Sequence, residues 1–195
     1  IQFLPQDISI TLSDLSSGMI RDARRALGRK DKRFSFEVFD CAKIPHKGCN
    51  FDLVIANHVL FYCEDIPAVC NEIQRVLVPG GKLICSTYGS HHMQEVSQLV
   101  QDFDNRIVLS ADRLYERFGR ENGADILAPY FSDISWESYN DSLLVPDAEP
   151  LISYILSCHG NQNQYLLEKY TDFRGFVSRK TKDGFFITRC RYFSL

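Results

Sequence analysis

The stretch Asp65-Ile66-Pro67-Ala68-Val69-Cys70-Asn71-Glu72-Ile73-Gln74-Arg75-Val76-Leu77-Val78-Pro79-Gly80-Gly81-Lys82-Leu83 decides how the chain is organised. Asp65 suits a helix N-cap, Pro67 suits the first turn, and Ile66, Val69, Cys70, Ile73, Val76 and Leu77 recur at helical spacing. Pro79, Gly80 and Gly81 are expected to end that helix and turn the chain into a strand over 82–88. Upstream, residues 51–56 form a nearly continuous apolar run that stops at Asn57, the pattern of a strand covered on both faces. Strand, helix and strand with short connections call for a right-handed crossover and a parallel α/β sheet.

The same alternation extends toward the N-terminus. Residues 8–15 read as a strand with Asp14 near its end, followed by a helix whose apolar stripe runs to Leu27, with Gly28 as the left-handed residue that closes it. A further strand over 35–39 stops at Asp40. Beyond Tyr88 the texture changes. A helix with Met93, Val96, Val100 and Phe103 on one face, a short one around Leu114 and Phe118, and the segment 121–131 read as an insertion over the strand ends. Residues 134–145 look like two extended stretches around Asn140 and Asp141. They are followed by a helix over 147–157 and another carrying Leu166, Tyr170, Phe173 and Val177. Residues 185–193, after a Lys-Asp-Gly turn, read as a strand of an antiparallel edge hairpin.

Composition agrees with one globular domain: 195 residues, 45% hydrophobic, 24% charged, net charge −3. Eleven glycines, seven prolines and no repeated tract exclude collagen-like, mucin-like and disordered classes. The longest purely apolar stretches, such as 59–63, are five residues, whereas a bilayer span needs about twenty. The chain opens on Ile1 with no leader pattern, and its start reads as a cut. Seven irregularly spaced cysteines without a C-x-x-C imply reduced, buried thiols in a cytoplasmic protein. The five histidines lack metal-ligand spacing, so no metal is expected. The basic run from Arg21 to Arg33 shares its segment with Met19, Ile20, Ala23, Ala26 and Leu27, which makes it the solvated face of a helix. With the net negative charge, that argues against a nucleic-acid partner.

In open α/β sheets a ligand sits outside the carboxyl ends of the strands, and here those ends carry Asp14, Asp40 and Asn57. One acid there can accept from both ribose hydroxyls and the next from an exocyclic adenine amine, which together describe an adenosine pocket. Any one such Asp alone is more often a turn or cap residue.

The residues around these ends resemble the class I S-adenosylmethionine-dependent methyltransferases, especially those similar to ubiquinone and menaquinone biosynthesis methyltransferases. The similarity runs through 10–20, 39–45, 51–60 and 72–83 and covers 8–88 densely. It implies a Rossmann-like, mostly parallel sheet with helices on both faces and an antiparallel C-terminal strand. It also implies S-adenosylmethionine as cofactor. By the resemblance, Asp14, with Leu15 and Met19 beside it, meets the ribose. Asp40 meets the adenine amine, the backbone of Cys41 lies along the ring, and Asn57, His58 and Val59 form the loop that wedges the adenine. The expected organisation is one methyltransferase-like domain over 1–195: a cofactor-binding core to 88, a helical insertion over 89–131 and C-terminal strands and helices over 132–195.

One departure stands against these matches. The family's glycine-rich loop, with its preceding strand and following helix, does not occur in the sequence, and its place would be upstream of residue 1. That strand belongs between those ending at Asp14 and Asn57, so the two are not expected to pair directly, and the sequence reads as a fragment of a longer chain. The implied reaction is in-line attack of an acceptor on a sulfonium methyl, for which the protein supplies alignment, dryness and proton removal. His58 and His92 are the first candidates for the base, with Tyr62 and His91 nearby. Tyr130, Phe131, Trp136, Tyr139 and Tyr154 either line an acceptor pocket or pack the core. The expected acceptor is a small molecule. Rival readings are a catalytically incomplete scaffold, an RNA methyltransferase and a nicotinamide-dependent dehydrogenase. The chain Asn57-His58-Val59-Leu60 lacks the Pro-Pro and aromatic of enzymes that methylate base nitrogens.

Overall fold

The structure, a computed structural model, describes residues 5, 7–27, 32–110 and 113–194, without the side chains of 140 and 190–194. Its contacts divide it into two compact units, one of residues 1–54 and 63–82 and one of residues 55–62 and 83–195.

In the first unit, strand β1 (Ile10–Asp14) lies parallel to β2 (Phe34–Val38), in register from Ile10 opposite Phe34 to Asp14 opposite Val38. Helix α1 (Ser17–Leu27) makes the crossover and buries Ile20. Its arginines at 21, 24 and 25 are exposed as the pattern predicted, and the Arg24 guanidinium lies 5.2 Å over the Phe36 ring. Gly28, the expected terminator, lies outside the described residues. Helix α2 (Ile66–Val76) starts as its sequence dictates, because the Asp65 carboxylate accepts the Ala68 amide at 2.9 Å. It buries Ile66, Val69, Cys70, Ile73 and Val76. Its outer face holds the loop after β2. Glu72 accepts the Ile44 amide at 2.9 Å, and the Arg75 guanidinium donates to the carbonyls of Ile44 and His46 at 2.9 and 2.8 Å.

Strands β3 (Phe51–Asn57) and β4 (Leu77–Tyr88) begin in this unit and end in the other. β4 starts at Leu77, five residues earlier than the Pro-Gly-Gly signal suggested. Proline pushes the residue before it out of the helical region, so the chain becomes extended at once, and Gly80 takes the local kink at φ +80°.

The second unit carries a four-stranded sheet in the order β3-β4-β6-β5, with β5 spanning Trp136–Val145 and β6 Phe185–Ser194. β6 runs antiparallel to both neighbours, Tyr88 facing Arg191 on one side and Val145 facing Phe185 on the other. With β5 it forms the antiparallel pair expected at the edge of the sheet, β5 outermost and β6 against β4. β5 is also one strand, since its pairing with β6 is unbroken through Asn140 and Asp141. Helices α3 (Gln94–Phe103), α4 (Leu114–Arg117), α5 (Gly123–Leu127), α6 (Ala148–Ser157), α7 (Gln162–Leu166) and α8 (Tyr170–Thr181) complete the unit. The single helix expected through Leu166 and Val177 is thus two, α7 and α8. Val96, Leu99 and Val100 of α3, Leu151, Ile152 and Ile155 of α6, Phe173 and Val177 of α8 and Ile187 of β6 form its core.

Among the described residues β1 pairs with β2 alone and β3 with β4 alone, so the strands ending at Asp14 and Asn57 are not direct partners, as expected. Among the six cysteines whose side chains are described, the uniform burial that the sequence suggested fails: Cys70 and Cys85 are buried, Cys41, Cys63 and Cys158 half-buried, and Cys49 is exposed. Among the described residues no helix is long and apolar enough to cross a membrane, and no group of three His, Cys, Asp or Glu side chains could hold a metal.

Candidate functional site

Asp14 and Asp40 stand at the same end of the parallel β1-β2 pair, the end that carries ligands in such sheets. Each spends one oxygen on its own turn: Asp14 Oδ1 accepts the Ser16 amide at 2.8 Å and Asp40 Oδ1 the Ala42 amide at 2.8 Å. The turn role is therefore real. It leaves the second oxygen of each carboxylate without a protein partner among the described residues, so each retains the acceptor that a ribose hydroxyl or an adenine amine needs. Leu15 and Met19 follow Asp14 with 72% and 59% of their surface exposed, apolar area that no packing in the unit explains. As acceptors beside exposed apolar area, these residues fit the adenosine half of S-adenosylmethionine. Cys41, next to Asp40, is half-buried with its sulfur 3.5 Å from that of Cys63.

In the second unit, Asn57 ends β3 and His58 and Val59 follow it, His58 with a left-handed backbone at φ 52°. That strain is held by Ser86 of β4, whose carbonyl and hydroxyl accept the His58 amide at 3.2 and 3.1 Å while its hydroxyl donates to Asn57 Oδ1 at 3.3 Å. Tyr88, the last residue of β4, gathers the rings around it. Its centroid lies 5.2 Å from His92, 5.2 Å from Phe61, 6.4 Å from His58 and 6.4 Å from Tyr115. Burial pushes its phenol above the usual tyrosine value, and Tyr62, Tyr115 and Tyr154 push the same way. The two candidate bases are thus brought onto one aromatic cluster by a tyrosine that sequence reasoning treated only as a strand end. Its position at the carboxyl end of a sheet strand was the available signal.

His92 also lines a cavity of about 350 Å³ together with Met93, Leu151, Tyr154, Ile187 and Arg189. Arg189, its charge paired with Asp141 at 3.5 Å, joins His92 and Tyr154 as a polar group of a mainly apolar wall. Of the five late aromatics only Tyr154 reaches this cavity. Trp136 packs on Phe118 at 6.4 Å, and Tyr139 is exposed. His91 is exposed with Nδ1 3.2 Å from the Ser90 hydroxyl, and Tyr62 is exposed, so neither joins the cavity wall.

The parallel β1-α1-β2 crossover with carboxylates at its strand ends and, in the second unit, a sheet whose interior strand β6 runs antiparallel are features of a Rossmann-like fold. Residues 2–85 match a methyltransferase domain family. A malonyl-[acyl-carrier protein] O-methyltransferase of Methylovorus sp. is 28% identical over 102 residues, a match that spans 50% of this chain and 34% of that protein. A Bacillus halodurans structure described as a methyltransferase superposes over 95% of this chain and 81% of its own with TM-score 0.61 at 12% identity. A Haemonchus contortus phosphoethanolamine N-methyltransferase 2, solved with phosphomonomethylethanolamine and S-adenosylhomocysteine, covers 96% of this chain and 43% of its own, with TM-score 0.52 at 18% identity. The chain matches only about a third of the length of the curated relative.

Proposed function

We propose that this domain transfers a methyl group from S-adenosylmethionine to a small-molecule acceptor. The bound cofactor supplies an electrophilic methyl on a sulfonium whose leaving group is a neutral thioether. Asp14 holds the ribose hydroxyls and Asp40 the adenine amine, with the Cys41 backbone along the ring and Leu15 and Met19 as apolar floor. Asn57, His58 and Val59 supply backbone contacts. His92, at the rim of the cavity, takes the proton from the acceptor's nucleophile, with His58 as the second candidate across Tyr88. The cavity, largely apolar with His92 at its rim, suits an acceptor with an apolar body.

The observation that carries this reading is the meeting of His92 with an apolar cavity at the end of β4. Calorimetry with S-adenosylmethionine and S-adenosylhomocysteine tests the cofactor half. Binding of both is expected, and heat from neither supports a scaffold without catalysis. A salt-titrated RNA binding assay tests the acceptor class, since affinity that falls steeply with salt would favour a nucleic-acid acceptor.

A further inference from the structure

The two sulfurs of Cys41 and Cys63 face each other across 3.5 Å although the residues are 22 positions apart in sequence. A disulfide needs about 2.05 Å between sulfurs, so closing the bond asks for a movement of about 1.5 Å. Both residues sit in connections: Cys41 three residues after the end of β2 at Val38, Cys63 between the 3-10 turn Leu60–Tyr62 and the N-cap Asp65 of α2. Connections of this kind yield by such amounts more readily than sheet interiors. Both residues are half-buried, which leaves a path for a small reagent.

We infer that Cys41 and Cys63 are a dithiol–disulfide couple, a modification site that a small disulfide such as oxidised glutathione converts, and that closing it weakens the hold on the cofactor's adenine end. The second limb rests on the cofactor site proposed above, because Cys41 adjoins Asp40.

The chemistry balances in two exchanges. The Cys41 thiolate attacks one sulfur of the small disulfide, forming a mixed disulfide and expelling one small thiolate. The Cys63 thiolate then attacks the Cys41 sulfur, forms the intramolecular bond and expels the second small thiolate. Two electrons pass from the protein pair to the reagent, and the two protons released by Cys41 and Cys63 are taken up by the expelled thiolates.

The local environment selects the attacking sulfur. The hydrogen bond from Cys63 lowers the Cys41 thiol to about 7, against burial and the Asp40 charge, and the backbone amides of Cys41 and Ala42 act in the same direction as Cys63. Cys70 is the opposite case, pushed up to about 11 by burial alone. A half-ionised Cys41 is expected to react about fivefold faster than an unperturbed thiol of equal access at neutral pH, once the lower nucleophilicity of its thiolate is counted.

The test uses the full chain under oxidised and reduced glutathione, mapped by mass spectrometry of non-reduced peptides. A Cys41–Cys63 crosslink is expected, two hydrogens lighter than the two free peptides. Cys63→Ser is expected to stop at a stable mixed disulfide on Cys41, and Cys41→Ser to leave Cys63 unmodified over the same interval. Modification of Cys49 while Cys41 and Cys63 stay reduced, or a lasting mixed disulfide in the unsubstituted chain, overturns the couple. S-adenosylhomocysteine affinity is then compared between the two redox forms, with at least a tenfold loss expected on oxidation. Equal affinity overturns the second limb. Absence of binding by the reduced chain counts against the cofactor site itself, whereas the peptide map decides the couple independently.

Discussion

Tyr88 and His92 hold their ring centroids 5.2 Å apart, tilted by 39°, at the point where β4 leaves the sheet. The turn between them is closed by the His92 amide donating to the Gly89 carbonyl at 3.1 Å, and the Met93 amide is anchored on the Thr188 carbonyl of β6 at 2.9 Å. The histidine's backbone is therefore held on both sides, which sets where its side chain leaves the chain at the cavity wall.

Replacing His92 by Ala is expected to lower kcat about a hundredfold, the usual contribution of a positioned base, while S-adenosylhomocysteine affinity stays within about twofold. His58→Ala is expected to lower kcat less, because His58 is not among the residues of the cavity wall. Steady-state kinetics with calorimetry on each variant checks this. A larger loss for His58 than for His92 would exchange their roles, and a shifted unfolding midpoint would mark either effect as structural.

Asp14→Asn and Asp40→Asn separate turn from ligand. Asn keeps the oxygen that accepts the Ser16 or Ala42 amide, so the turn survives while the charge and one strong acceptor are lost. Each variant is expected to bind S-adenosylhomocysteine about 10- to 100-fold more weakly, the range of a charge-assisted hydrogen bond, with unfolding midpoints nearly unchanged. Isothermal titration beside thermal melts reads both quantities, and unaltered affinity in either variant removes that residue from the site.

The parts that the sequence announced are those governed by local chemistry. Asp65 caps α2 with the bond its type predicts, and the stripe from Ile66 to Val76 is the buried one. Asp14 and Asp40 fall at strand ends because acids rarely continue a strand into apolar packing. What stayed hidden depends on partners far along the chain. β6 takes an interior place because β5 and β4 pair on its two sides, and nothing within 185–193 encodes which neighbours it finds. The proximity of Cys41 and Cys63, and of Tyr88 to His58, is likewise set by how connections fold back rather than by spacing.

Glu95 gives α3 a pH-dependent anchor. Its carboxylate accepts the Thr188 hydroxyl at 2.5 Å and the Thr188 amide at 3.1 Å. Burial pushes this acid up, but the Thr188 bonds, its own backbone amide and the nearby His92 outweigh it and leave it below the ordinary value of 4.5. A depressed acid contributes stability that is fully present above the unfolded value and is lost as pH falls through the folded one. Glu95→Gln is therefore expected to destabilise the chain at pH 7 and to cost progressively less below about pH 4.5. Urea midpoints of both proteins at several pH values test this, and a gap that widens toward acid would refute the anchor.

Gly160 marks where the 106–108 segment docks on the turn before α7. Asn161 clamps that segment, its side chain accepting the Val108 amide at 2.7 Å and donating to the Arg106 carbonyl at 2.9 Å, while its own amide donates to the Val108 carbonyl at 3.0 Å. A Cβ on Gly160 would overlap that same Val108 carbonyl oxygen, a backbone atom that cannot swing aside as a side chain would. Gly160→Ala must break the clamp to relieve the clash and is expected to cost about 2 kcal/mol or more. Asn161→Ala loses the side-chain bonds without the clash and is expected to cost less. Denaturant unfolding of the two variants ranks them, and a Gly160→Ala variant as stable as the unsubstituted chain would mean that the two segments do not hold this close approach in solution.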